Sequence, residues 1–149
     1  MIIEPYAQEV TDEIMSLLLI ADPNQQVVRS YINNAKILVA RDDEIIVGIG
    51  VLASENSSSE IKNLSILEGY RGIGIGKRLV TELANLARLN GANILEVGTG
   101  NSSLPQLAFY QKCGFRVHRI EIGYFDSYPE PIIENGIQCR DLVCLQIKL

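Results

Sequence analysis

The run Arg71-Gly72-Ile73-Gly74-Ile75-Gly76-Lys77 constrains this chain more than any other stretch. It lies between a strand-like segment, Glu60 to Ile66, and the longest helical stripe, Ile75, Leu79, Leu83 and Leu86, which stops at Asn90-Gly91. Glycine at alternate positions admits positive φ and lets the main chain approach a ligand closely. The start of the helix adds unpaired N–H groups and a partial positive charge, and Arg71, Lys77 and Arg78 add full ones. Strand, glycine turn and helix in that order make a phosphate cradle. A turn kept glycine-rich only for tight packing is the other reading. Two nucleotide loops are excluded on spacing. A Walker A loop needs Ser or Thr after its Lys, where this chain has Arg78. A dinucleotide G-x-G-x-x-G meets Lys77 at its third glycine when counted from Gly72, and Leu79 when counted from Gly74.

The rest of the composition sets the class. A chain of 149 residues, 47% hydrophobic and 21% charged, has enough apolar material for the core of one domain. Thirteen Lys+Arg against 18 Asp+Glu, a net charge of −5, argue against nucleic acid as a partner. The longest near-apolar run, Ile14 to Ala21, is interrupted by Ser16 and is too short to span a membrane. The N-terminal residues have no basic region and carry Glu4, so no secretory signal is expected. Cys113, Cys139 and Cys144 are odd in number and lack C-x-x-C spacing, and His118 is the sole histidine, so no metal site is expected. These features fit a reduced, cytoplasmic protein.

Along the chain, Ile2-Ile3 predicts a short strand. Val10, Ile14, Leu17 and Leu18 predict a helix with Asp12 and Glu13 in its first turn. Asp22-Pro23 reads as N-cap and first position of a second helix with Val27, Val28, Tyr31 and Ile32 inside, ending at Asn33-Asn34. Ile37–Ala40, a turn at Arg41–Glu44, and Ile45–Leu52 predict a hairpin. A loop, Ser54–Ser59, precedes the strand Glu60–Ile66. After the long helix come a strand at Ile94–Val97, a helix at Leu104–Lys112, and strands at Val117–Phe125 and Cys139–Leu149 around a loop, Asp126–Gly136. The order β-α-α-β-β-β-α-β-α-β-β, with three consecutive strands before the long helix, indicates an α/β fold on a mixed sheet.

The stretch Leu64-Ser65-Ile66-Leu67-Glu68-Gly69-Tyr70-Arg71-Gly72-Ile73-Gly74-Ile75-Gly76 resembles the cofactor motif of the GNAT superfamily of acyl-CoA-dependent N-acyltransferases. A second family element, Phe-Tyr-x-Lys-x-Gly-Phe at a helix end, appears as Phe109-Tyr110-Gln111-Lys112-Cys113-Gly114-Phe115. The motifs stand in the family's order with one strand between them, and the element order matches the family fold over almost the whole chain. Two departures stand out: Glu68 replaces a common proline, and Ser103 stands where an asparagine is frequent, with Asn101 two residues earlier.

The resemblance implies a sheet that splays between Glu60–Ile66 and Ile94–Val97, with the pantetheine arm of acetyl-CoA lying in the gap against Leu64, Ser65 and Ile66. The Ile66 N–H then faces the thioester carbonyl. Arg71, Gly72, Ile73, Gly74, Ile75, Gly76 and Lys77 hold the diphosphate, and either Asn101 or Ser103 reaches the pantetheine. Tyr110 is the expected general acid for the departing thiolate, since a phenol with a pKa of about 10 keeps its proton at neutral pH; a core tyrosine is the plainer alternative. Glu60 is the candidate base for the incoming ammonium, directly or through water, against the alternative of an exposed strand end. The acceptor implied is an amine of a small molecule or peptide, and the fold leaves room for a homodimer.

The loop Phe125–Gly136 is long, aromatic and acidic, suited to a lid or to a wall for a cationic acceptor. With Glu96–Ser103 it resembles a small bacterial subgroup in which one label names indole-acetic acid as acceptor. A carboxylate and an indole N–H are poorer nucleophiles than an amine, so the acceptor is left open. Two rivals remain. Ile94–Gly100 imitates the Glu-x-Gly-x-Gly turn of S-adenosylmethionine-dependent methyltransferases, but too little chain follows it for a doubly wound sheet. An acyl-CoA-binding regulatory domain without turnover would carry the same fold. His118 reads as half-exposed, Cys113 as a small buried apolar residue, and Cys139 and Cys144 as lying on opposite faces of one strand.

Overall fold

The computed structural model describes residues 1–149. In chain order the elements are β1 (Ile2–Pro5), α1 (Asp12–Ala21), α2 (Gln25–Ile32), β2 (Lys36–Asp42), β3 (Ile45–Glu55), β4 (Ser58–Ile66), α3 (Ile75–Leu89), β5 (Ile94–Gly100), α4 (Leu104–Lys112), β6 (Arg116–Glu121), β7 (Ile133–Glu134), β8 (Ile137–Gln138) and β9 (Leu142–Lys148). Seven strands make one sheet in the order β1-β2-β3-β4-β5-β9-β6, and β7-β8 is a separate hairpin. Every pairing is antiparallel except β4 with β5. The mixed α/β fold expected from the element order is what forms.

Helices cover both faces. Leu17, Leu18, Val28 and Ile32 of α1 and α2 pack with Val39, Ile49 and Val51 on one face. Leu79, Leu83 and Ala87 of α3 and Tyr110 of α4 pack with Leu52, Ile61, Leu95, Val97 and Leu145 on the other. Gly48 and Gly50 clear room for α3, because a Cβ at either would lie 2.8 Å from Ile66 or Leu83. No helix is long and apolar enough to cross a membrane.

Several boundaries differ from the sequence reading. The α2 cap is Asn24, whose side chain accepts from the N–H groups of Gln26 and Val27 at 3.0 and 3.3 Å. Asp22 instead closes α1, its N–H donating to Leu18 O at 3.2 Å. The expected Ser54–Ser59 loop is a tight hairpin turn: Asn56 takes φ 56°, and pairing continues through Glu55 and Ser58. The Asp126–Gly136 loop contains structure of its own, because Asn135 and Gly136, at φ 55° and 74°, form the two-residue turn between β7 and β8. Cys139 precedes β9 rather than sharing a strand with Cys144, and both are buried free thiols. Cys113 is half-buried. His118, exposed, sits at the irregularity between Val117 and Arg119. Gly98-Thr99-Gly100 continue β5 instead of turning, which removes the methyltransferase-like loop.

Candidate active site

One irregularity in β4 sets the geometry of the site. Leu52 pairs with Ile61 while Val51 pairs with Asn63, so Lys62 is an extra residue in β4. The bulge reverses the strand's faces. Ile61 joins the core under α3. Asn63, by contrast, points toward α1 and donates to Leu18 O at 2.9 Å. Pairing with β5 covers only Ser58↔Ile94 through Ile61↔Val97. Beyond it β5 follows β9 as far as Gly100↔Leu142, while β4 stays with β3 as far as Gly48↔Ile66. A wedge opens between them.

Pairing parity decides which groups face that wedge. Leu67 N–H donates to Val47 O at 2.9 Å, so in the antiparallel alternation the bonded pairs are Val47/Leu67, Ile49/Ser65 and Val51/Asn63. Leu64 and Ile66 therefore direct their N–H and C=O groups away from β3, into the gap. Ser65 turns the other way: its backbone pairs with β3 and its hydroxyl donates to Asn63 Oδ1 at 2.8 Å. The Ile66 carbonyl accepts from Arg71 Nε at 3.1 Å.

The glycine turn continues from this strand end through a single 3-10 turn, Glu68–Tyr70. Gly72 and Gly74 take φ of 78° and 90°, and the space beside each is open. Gly74 is the α3 cap, and no side chain bonds to the helix start. The first helical bond is Arg78 N–H to Gly74 O at 3.1 Å, so the amides of Ile75, Gly76 and Lys77 have no helical acceptor. Gly76 serves α4 instead, since a Cβ there would lie 3.2 Å from the Phe109 ring. Ile73 is exposed at the loop tip, whereas the Ile75 side chain is buried in the core. Open backbone at two left-handed glycines, a bare helix start and the cations Arg71, Lys77 and Arg78 suit a diphosphate.

Tyr110 is buried at 5% exposure, its ring edge-on to Phe109 and Phe115 at 5.1 and 5.6 Å. Its hydroxyl has no hydrogen-bond partner in the chain, yet every enclosed side-chain polar atom has one, so the hydroxyl reaches open space. Burial, with a small contribution from Cys113, pushes its pKa well above that of an ordinary phenol. Glu60 lies on the opposite sheet face, because its neighbour Ile61 points into the α3 core. It is partly exposed, pairs with Lys62 Nζ at 3.1 Å, and stands beside Glu96 across the last bonded stretch of β4 and β5. Tyr110 and Glu60 thus lie on opposite faces of the sheet.

Asn101 and Ser103 are occupied within the protein. Asn101 Oδ1 accepts from the N–H groups of Arg140 and Asp141 at 2.8 and 3.0 Å, and its Nδ2 donates to Gln138 O at 3.1 Å. Ser102 and Ser103 hydroxyls both donate to Glu134 Oε1 at 2.9 Å, and Asn135 Nδ2 donates to Ser102 O at 2.8 Å. These bonds fasten the β7–β8 hairpin onto the start of α4. Sequence reasoning missed Glu134 because the pairing spans about thirty residues and its only local mark was the Asn-Gly turn beside it. It also missed Asn63, whose side chain bonds Leu18 O and Tyr31 OH on the α1 and α2 side of the sheet.

Comparison with known proteins agrees with this geometry. Residues 33–117 match a family model described as an acetyltransferase (GNAT) domain. The chain is 41% identical to YvbK of Bacillus subtilis (strain 168), called an uncharacterized N-acetyltransferase, over 95% of this chain and 93% of that one. It is similar to a GNAT family acetyltransferase from Elizabethkingia anophelis with acetyl-CoA bound: TM-score 0.93, 37% identity, 99% of this chain and 97% of that one. A structure called IAA acetyltransferase from Bacillus cereus ATCC 14579 superposes at TM-score 0.92 with 42% identity, over 99% of each chain.

Proposed function

The chain belongs to the GNAT family of acetyltransferases and uses acetyl-CoA, and from that premise we propose that it acetylates a primary amine of a small molecule or peptide by direct attack. The observation that carries this reading is the continuity of two sites along one strand. The wedge receives the Leu64 and Ile66 main-chain groups, and the same strand leads straight into the Gly72–Lys77 cradle.

Acetyl-CoA supplies an activated acetyl group as a thioester. Amides of Ile75, Gly76 and Lys77, with Arg71, hold the diphosphate; Leu64 and Ile66 pair with the amide arm as a sheet edge pairs with a strand. The Ile66 N–H also donates to the carbonyl oxygen as it gains negative charge, a contribution of about 3 kcal/mol. The amine nitrogen forms the new bond to the acyl carbon as the carbon–sulfur bond breaks. Glu60 takes the amine proton through water, and Tyr110 gives its proton to the sulfur from the other sheet face. A raised phenol pKa keeps that proton in place at every working pH. Three free cysteines fit a reducing compartment. Asn101 and Ser103 act by anchoring the hairpin, so the pantetheine is held mainly by backbone.

The Bacillus cereus relative carries the name IAA acetyltransferase. For this chain an amine is the better acceptor, because it is the stronger nucleophile toward a thioester. Release of free thiol from acetyl-CoA across a panel of primary amines tests the reading. Amine-dependent thiol release, lost in Tyr110→Phe, is the expected result. Acetyl-CoA binding without release by any amine would leave a binding domain.

A further inference from the structure

On the sheet face that carries Glu60, β5 ends in glycine. Leu95 and Val97 point into the α3 core, so Glu96, Gly98 and Gly100 lie on the other face, Glu96 beside Glu60. At Gly100 the segment that follows β6 folds back onto this face. A Cβ at Gly100 would run into Cys139 Sγ and lie 3.7 Å from the Phe125 ring, so both residues rest directly on the strand end. Here β5 has parted from β4 and forms one lip of the wedge.

Phe125 and Cys139 are also two walls of a pocket of about 330 Å³, and Tyr128, Pro129, Pro131 and Ile132 supply the rest of its apolar lining. Phe125 and Tyr128 meet edge-on at 5.2 Å and form one corner. Cys139 is buried, and burial raises its thiol pKa, so this wall is an uncharged, polarisable sulfur. Asp126 and Gln138, both exposed, complete the lining with polar groups. The pocket is built in advance of any guest. Phe125 N–H donates to Arg140 O at 3.0 Å, Tyr128 N–H to Phe125 O at 3.2 Å, and Cys139 N–H to Ile132 O at 2.7 Å. Asn101 holds the N–H groups of Arg140 and Asp141, and the Asp141 carboxylate accepts from Gly123 N–H at 3.0 Å. Neutral walls of two aromatic rings and two prolines suit a planar ring, and Asp126 disfavours an anionic one.

We propose that this pocket holds an aromatic ring of the acceptor, whose amine reaches the wedge over the Gly98–Gly100 end of β5. This rests on the acetyl-transfer reading and narrows its substrate class to primary amines joined to an aromatic ring by a short aliphatic linker. Pocket and Glu60 share one sheet face, so ring and amine are bound from the side on which the base stands.

The first experiment follows amide shifts of isotope-labelled protein during titration with 2-phenylethanol, which has the ring but no amine, and with n-propanol. Saturable shifts at Phe125, Tyr128, Ile132 and Cys139 are expected, with the aromatic alcohol binding roughly tenfold tighter or more. The second compares kcat/KM for 2-phenylethylamine and n-propylamine by thiol release from acetyl-CoA. A preference of roughly tenfold or more for the aromatic amine is expected, and Tyr128→Ser and Ile132→Asp should each cut it about fivefold or more through KM. Shifts that spread evenly over the surface, equal kcat/KM for the two amines, or a preference that survives either variant overturns the pocket. Thiol release by no amine at all overturns the transfer reading and the acceptor role with it, whereas release without the preference overturns the pocket alone. Acetyl-CoA binding by calorimetry confirms that each variant is folded.

Discussion

Replacing Glu134 by alanine should release the β7–β8 hairpin from α4. One carboxylate oxygen accepts two serine hydroxyls at 2.9 Å, and Ser102 is fully buried. Hydrogen bonds to a charged group contribute about 1.5–3 kcal/mol each. Because the two share an oxygen and Glu134 is partly exposed, water recovers some of this, leaving about 2–4 kcal/mol for the pair. The loss is local, since the hairpin forms no rung of the main sheet. Amide exchange at Phe125 and Cys139, whose N–H groups bond to Arg140 O and Ile132 O, should therefore quicken roughly 30- to 700-fold at about 1.4 kcal/mol per decade. The helix α3 amides should keep their protection. Glu134→Gln retains an acceptor oxygen and should lose about half as much. Hydrogen exchange read by mass spectrometry, with acceptor KM and acetyl-CoA affinity on the same variants, checks the chain of reasoning. KM should rise while acetyl-CoA affinity stays put. Unchanged exchange over residues 124–141 in Glu134→Ala would refute the clamp.

Tyr110→Phe should lower kcat about 100-fold, leave acetyl-CoA affinity unchanged in calorimetry, and shift stability by less than about 0.5 kcal/mol, because the hydroxyl has no protein partner to lose. Gly74→Ala places a side chain at φ 90° in open space, so strain alone should cost about 1–2 kcal/mol. Thermal melting should then fall by about 2–8 °C, with weaker coenzyme A binding. For Asp22 the folded carboxyl pKa lies above its unfolded value, so the native state binds more protons in the interval above 3.8. Stability contributed there falls as pH rises through that interval, and the penalty persists at neutral pH. Asp22→Asn should raise the melting temperature at pH 7 and leave it unchanged near pH 3; a lower value at pH 7 would contradict the sign.

The parts legible in the sequence were those written locally. The Gly72–Gly76 spacing, the Ile75–Leu83 stripe and the bounds of α4 each depend on neighbours within a few residues, and each stands where the pattern put it. Tyr110 was legible as buried from the aromatic residues around it. The second helix start was misplaced because Asp22-Pro23 looks like a cap, while Asn24 supplies the bonds. The serine run before β4 looks like a loop, yet Asn56 turns the chain within two residues. The Lys62 bulge left no mark in the hydrophobic alternation, since buried residues recur every second position on both sides of it. Asn101 and Ser103 are legible as polar residues ahead of α4, but their protein partners, Arg140, Asp141 and Glu134, are set by the return path of the chain. The bonds from Asn63 to Leu18 and Tyr31 are a product of tertiary folding alone.

Within the sheet itself, strands β1–β4 meet strands β5, β9 and β6 along four paired positions, Ser58↔Ile94 to Ile61↔Val97, beside the Asn93 N–H to Ser57 O bond and over the α3 core. The molecule is accordingly two leaves on a short spine, and a guest lying along the open margin lengthens that spine with new rungs. Occupancy then stiffens the whole body: pulling the leaves apart by their outer strands should take markedly more force once the margin is filled.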